Sequence, residues 1–121
     1  MENTLDQEKR RARRFDLEVP VEYKKLRGAP EIRKGSLTSN ISTGGVRFIT
    51  DEFLPYTARL VIEINLPLPE RPVSAVSKIS WIRKMPAGEQ YEVGNQFLEI
   101  SKEDKNRLSK YLDTFNTDPE K

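Results

Sequence analysis

The densest chemistry in the chain is Arg10-Arg11-Ala12-Arg13-Arg14, preceded by Lys9 and followed by Phe15. Arg10 and Arg14 stand four positions apart, so they meet on one face of a helical turn or converge on a ligand held in a loop. A guanidinium suits a guanine nucleotide in three ways. It donates two parallel hydrogen bonds to the O6 and N7 edge, pairs bidentately with a phosphate, and stacks its flat face on a purine. Taken alone, the segment reads as readily as a solvated or nucleic-acid-binding basic arm as it does as a nucleotide site. A second cluster is Asn40-Ile41-Ser42-Thr43-Gly44-Gly45. In a strand Asn40 and Ser42 project to one face, which then offers an amide and a hydroxyl to a base edge. Gly45 is expected to turn the backbone with positive φ and to let a flat ligand approach the main chain. Taken alone, this run is also an ordinary hairpin turn.

Other chemistries are excluded by composition. Cysteine and histidine are both absent, which removes disulfides, thiolate nucleophiles, Cys/His zinc sites and histidine acid–base catalysis. Carboxylates, lysines and hydroxyls remain, and no arrangement of them points to an active site, so the expected role is not enzymatic. The formal net charge is only +2. A basic segment concentrated on a nearly neutral domain suggests a small or localised anionic partner more than a long nucleic-acid track. No apolar run approaches the roughly 20 residues of a membrane helix. The basic residues near the start are followed by no apolar stretch, so no secretory signal is expected and the reading is a cytoplasmic protein.

These groups must be positioned by one domain, since 121 residues support a single core and not two. Residues 1–9 are expected to be a flexible charged arm, 10–115 the folded domain, and 116–121 a disordered tail. Val19, Val21 and Tyr23 alternate with Glu22 and Lys24 as a first strand. Gly28-Ala29-Pro30 signals a turn, after which 32–41 reads as a second strand and Val46 with Phe48 as one face of a third. The clearest alternation is Leu60, Ile62, Ile64 and Leu66, stopped by Pro67, Pro69 and Pro72. Residues 73–85 and 91–100 pair as a hairpin across Pro86-Ala87-Gly88. Six short strands at this spacing predict a small antiparallel barrel. Ser101 caps a final helix, with Asp104 three positions on as in a capping box. Leu108, Tyr111, Leu112 and Phe115 make one apolar stripe along that helix, suited to cover an open side of the barrel.

The two clusters together carry a resemblance that neither carries alone. Arg-x-x-x-Arg just before strand one, then Asn-x-Ser-x-x-Gly at the end of strand two, is similar to the signature of the PilZ domain. The likeness continues through Phe15, Leu17-Glu18-Val19-Pro20-Val21-Glu22-Tyr23, the Trp81 strand and Val93-Gly94-Asn95-Gln96-Phe97. The resemblance implies a mainly β fold, a six-stranded antiparallel barrel with a C-terminal α-helix, and cyclic di-GMP as ligand, with no cofactor. By the motif, Arg10 and Arg14 hold guanine and phosphate, Asn40 and Ser42 read a base edge, and the Gly44-Gly45 turn makes room at Gly45. Arg11 is a further phosphate contact inside the motif. Many family members have Asp where this chain has Asn40; a neutral amide oxygen still accepts from guanine N–H groups but forgoes a charge-assisted bond. Trp81 falls where some members set an aromatic against the ligand, although a lone strand tryptophan more often belongs to the core.

The implied output is a disorder-to-order switch. Residues 1 to about 14 are expected to be mobile without ligand, to be ordered by cyclic di-GMP, and then to present a surface to a downstream protein partner. The alternative is a small barrel that binds nucleic acid through the basic arm. Against it, no aromatics interleave with the arginines and the strand faces offer no evident stacking platform. A barrel that has lost its ligand and serves as a scaffold is disfavoured by the intact motif.

Overall fold

The computed structural model describes residues 13–27, 33–67 and 71–115. Its elements are β1 (Pro20–Lys25), β2 (Lys34–Ser42), β3 (Gly45–Thr50), β4 (Arg59–Ile64), β5 (Val73–Lys84), β6 (Tyr91–Ile100) and the helix α1 (Lys102–Asp113). The strands close into an antiparallel barrel in the order β1-β2-β3-β6-β5-β4, with β4 returning to β1. The expected fold class and strand count therefore hold. Closure removes the free edges that six short strands would otherwise expose. The expected flexible arm at 1–9 and the tail at 116–121 lie outside the described residues.

Alternation explains the core. Val19, Val21 and Tyr23 point inward, as do Leu60, Ile62 and Ile64 of β4, and all are almost fully buried. Ile41, Val46, Phe48, Ile79 and Val93 complete the interior from the other strands. Each such side chain contributes about 1.5–3 kcal/mol on leaving water. Leu66 falls beyond the end of β4 yet still packs on this core. The β5–β6 connection turns at Gly88, whose φ of 77° is left-handed backbone that glycine adopts without strain.

The ladders are not regular throughout. Thr38 pairs with Phe48 but Asn40 pairs with Arg47, so β2 carries an extra residue at Ser39. Ile79 pairs with Asn95 but Trp81 pairs with Gly94, so β5 carries one at Ser80. A bulge reverses which face the following residues occupy. The hydroxyl of Thr38 braces the first bulge, accepting from the Val19 amide at 2.9 Å and donating to the Leu17 carbonyl at 2.6 Å.

Helix α1 begins as expected, with the Ser101 hydroxyl accepting from the Asp104 amide at 3.0 Å. Leu108 and Leu112 enter the core and Tyr111 packs on its margin. Phe115 corrects the expected stripe. The helix stops at Asp113, where Thr114 caps it, and Phe115 lies beyond, exposed and edge-on to Tyr111 at 5.1 Å between centroids.

Candidate functional site

The site is assembled where the chain before β1 lies against the end of β2. Phe15 and Ile41 exchange backbone hydrogen bonds at 2.8 and 2.9 Å as an isolated antiparallel bridge. Phe15 itself packs on the core, so its neighbours Arg14 and Asp16 project to the opposite side. Antiparallel pairing then sets Arg14 opposite Ser42 and Asp16 opposite Asn40. The side chains use this register. Arg14 donates from Nε to Asn40 Oδ1 and from a terminal nitrogen to Ser42 Oγ at 3.1 Å. Asn40 Nδ2 donates to Asp16 Oδ1 at 2.8 Å. Ser42 Oγ also accepts from the Gly44 amide at 3.0 Å, which fixes the turn into β3.

The bulge at Ser39 decides that these groups face outward. Val21 points inward and pairs with Ser36, so Ser36 and Thr38 stand on the inner side of β2. An uninterrupted strand would put Asn40 and Ser42 inside and Ile41 outside. The extra residue reverses this, and Ile41 is fully buried. The same logic governs Trp81. Val73, Ala75, Ser77 and Ile79 are inner, so regular alternation would send Trp81 into the core. The bulge at Ser80 turns it out, and the buried cluster does not include it. Its ring lies over Gly94 so closely that a Cβ there would sit 2.3 Å from the indole Nε1.

One rung thus crosses four strands on the outer face: Asn40 on β2, Arg47 on β3, Gly94 on β6 and Trp81 on β5. The Arg47 guanidinium carbon stands 5.4 Å from the Trp81 ring centroid. A broad open groove runs along this face, lined at one end by Arg14, Ser42, Gly44 and Arg47 and in its middle by Trp81 and Gly94. Partial burial of its head, and then the charge of Arg47, hold the Arg14 guanidinium below its ordinary pKa. An anion in the groove would oppose both effects.

Of the residues singled out by the sequence, Arg14, Asn40, Ser42, Gly44 and Trp81 all line or adjoin this groove. Arg10 and Arg11 lie outside the described residues. Arg13 stands 5.7 Å over the Phe15 ring and Arg14 is bonded to β2. The expectation for Gly45 is corrected. It is buried in β3, its φ is not among the left-handed values, and a Cβ would sit 2.0 Å from the Asn95 carbonyl oxygen. The missing side chain makes room for strand β6. Sequence reasoning missed Asp16, Arg47 and Gly94. Among the described residues no cluster of acidic side chains is placed to hold a metal ion. Nor is any helix among them long and apolar enough to cross a membrane.

The chain matches the PilZ domain family over residues 8–114. No curated protein matches it closely enough to count. Among solved structures, the Bacillus subtilis inhibitor of motility MotI/DgrA is 23% identical, with a TM-score of 0.71 over 87% of this chain and 51% of that one. The PilZ domain of YcgR from Escherichia coli, solved with c-di-GMP, is 18% identical, with a TM-score of 0.66 over 88% and 90%. The K. pneumonia MrkH–c-di-GMP complex is 16% identical, with a TM-score of 0.67 over 92% and 53%. The likeness to these three is one of fold. The chain spans about half the length of MotI/DgrA and MrkH.

Proposed function

The chain belongs to the PilZ domain family, and from that premise we propose that it is a receptor for cyclic di-GMP that carries out no chemical turnover. The observation that carries the reading is the convergence of Arg14 on Asn40 and Ser42 at the rim of an open outer groove. Arg14 supplies a charged fork for phosphate or for the guanine O6 and N7 edge. Asn40 offers a carbonyl and an amide to a base edge, and Ser42 a hydroxyl. Arg10 and Arg11 add two cations from the preceding arm, and Trp81 offers an indole face for stacking. Support also comes from the YcgR domain and MrkH, both solved with c-di-GMP and sharing this fold.

In this reading Arg14 and Asp16 occupy the hydrogen-bonding groups of Asn40. Binding exchanges those bonds for bonds to the dinucleotide and draws the arm segment around Arg10–Arg14 onto the groove. The altered surface then meets a downstream protein partner, in the cytoplasm. Nucleic acid is the less favoured ligand, since one tryptophan in the groove is not the row of stacking residues that single strands need.

Calorimetric titration with cyclic di-GMP tests the reading and gives affinity and stoichiometry together. Saturable binding that is much weaker for cyclic di-AMP is expected, because adenine carries a donor where guanine carries O6. Equal affinity for the two, or no binding of either, refutes it.

A further inference from the structure

Arg47 is a groove cation to which the family motif gives no role. It stands in mid-β3, next to Asn40 across one ladder and Gly94 across the other. Its Nε is buried and has no hydrogen-bond partner among the described residues. Its head rests on the Trp81 ring at 5.4 Å. A buried N–H without an acceptor is rare in a folded protein. Stacking on an indole holds the guanidinium in place, where a surface arginine would swing into water. Arg14 and Arg47 line the same end of the groove and repel one another. An amide, a hydroxyl and an indole hold these two cations together, and none of the three carries a negative charge.

We propose that Arg47, braced by Trp81, is a second ligand-contacting arginine that clamps a phosphodiester of the bound dinucleotide together with Arg14. This deepens, and rests on, the cyclic di-GMP reading. A phosphodiester is the part of that ligand able to accept N–H bonds from two arginines while removing their repulsion. A guanine edge is neutral and would leave the repulsion in place. Gly94 belongs to the device as well, because any side chain there would push Trp81 off its position beneath Arg47.

The test uses the full chain, with calorimetric titrations of cyclic di-GMP and of cyclic GMP–AMP, on the wild type, Arg47→Met, Arg47→Gln and Arg47→Lys. Methionine keeps an apolar stem on Trp81 and glutamine keeps polar reach, and both remove the charge. Both uncharged variants should melt close to the wild type and lose about ten- to a hundredfold in affinity for each ligand. The ratio of the two affinities should stay unchanged, since a phosphate contact is blind to the base. Arg47→Lys should recover part of the loss, because it keeps charge but loses the planar fork. Wild-type affinity in both uncharged variants overturns the clamp, leaving Arg47 as packing for Trp81. A changed ratio also overturns it, by making Arg47 a base reader, and so does a large fall in melting temperature in both. If the wild type does not bind cyclic di-GMP, the clamp and the proposed function fall together; if it binds and the variants match it, only the clamp falls.

Discussion

Beside helix α1, Arg71 and Arg107 close on the carboxylate of Asp104, at 2.7 and 3.0 Å. In the groove, Arg14 and Arg47 share an amide, a hydroxyl and an indole, and no carboxylate is their direct partner among the described residues. The consequences run in opposite directions. Burial alone pushes the Asp104 carboxyl up, but hydrogen bonds from Arg71, the Ser74 amide and Arg107 outweigh it and hold the carboxyl below its ordinary value. In the groove it is Arg14 that is depressed, by burial and by its like-charged neighbour. Around Asp104, Arg71 ties the helix to the segment before β5 and the Ser74 amide ties it to β5 itself. In the proposed reading, the groove arginines form a site that an anion completes.

The comparison breaks most directly at Arg14. Arg14→Ala should weaken cyclic di-GMP binding by about a hundredfold or more in calorimetry, because charge-assisted contacts are lost together. Its melting temperature should barely move, since Phe15 and not Arg14 anchors the segment to the core. A large fall in melting temperature would make Arg14 structural, like Arg71.

Asp104→Asn should do the reverse. It removes the carboxylate that Arg71 and Arg107 share, Arg71 keeping its pair with Glu103, which costs about 1–3 kcal/mol and lowers the melting temperature by roughly 4–8 °C per kcal/mol. Affinity for cyclic di-GMP should hold. The pH dependence has a definite sign. The folded carboxyl sits below its unfolded value, so its contribution is full above the ordinary carboxylate value and is lost as pH falls from there through the lower folded one. Denaturation midpoints below the ordinary carboxylate value should therefore drop more steeply for the wild type than for Asp104→Asn. Parallel curves would show that Asp104 is not the titrating group.

A smaller effect is expected from Gly94→Ala. The new methyl would stand 2.3 Å from the Trp81 ring, and the ring, on the outer face, can shift without opening the core. Tryptophan fluorescence should change, the barrel should stay folded, and affinity should fall about two- to thirtyfold as the support for Arg47 is lost. An unaltered emission spectrum would contradict the contact. The smallest effect is at Asp16, which is exposed and accepts from Asn40. Asp16→Asn removes a negative charge near an anion site and should raise affinity about two- to fivefold. A fall instead would mean that the carboxylate orients Asn40 for the ligand.

Much of this was legible in the sequence because it is local. Alternation over residues 60–66, 73–79 and 91–100 and the stripe of Leu108 and Leu112 specify strands and a helix from neighbours within a few positions. Arg14, Asn40 and Ser42 were legible as a motif, because residue types and short spacings suffice to state it. Arg47 carried no such signal, since an arginine alternating with Val46 and Phe48 looks like any solvated residue on the outside of a strand.

By itself, then, the sequence determined one mainly β domain closed by a helix, and a pair of polar clusters suited to an anionic guanine ligand. Only the tertiary structure decided which way those clusters face. The extra residues at Ser39 and Ser80 are defined by the register against the partner strands β3 and β6. They turn Asn40, Ser42 and Trp81 from the inner face to the outer one. The same closure sets Gly94 beneath Trp81 and Gly45 against the Asn95 carbonyl. Those contacts join positions far apart in the chain, whose approach is fixed by strand register and not by any local preference.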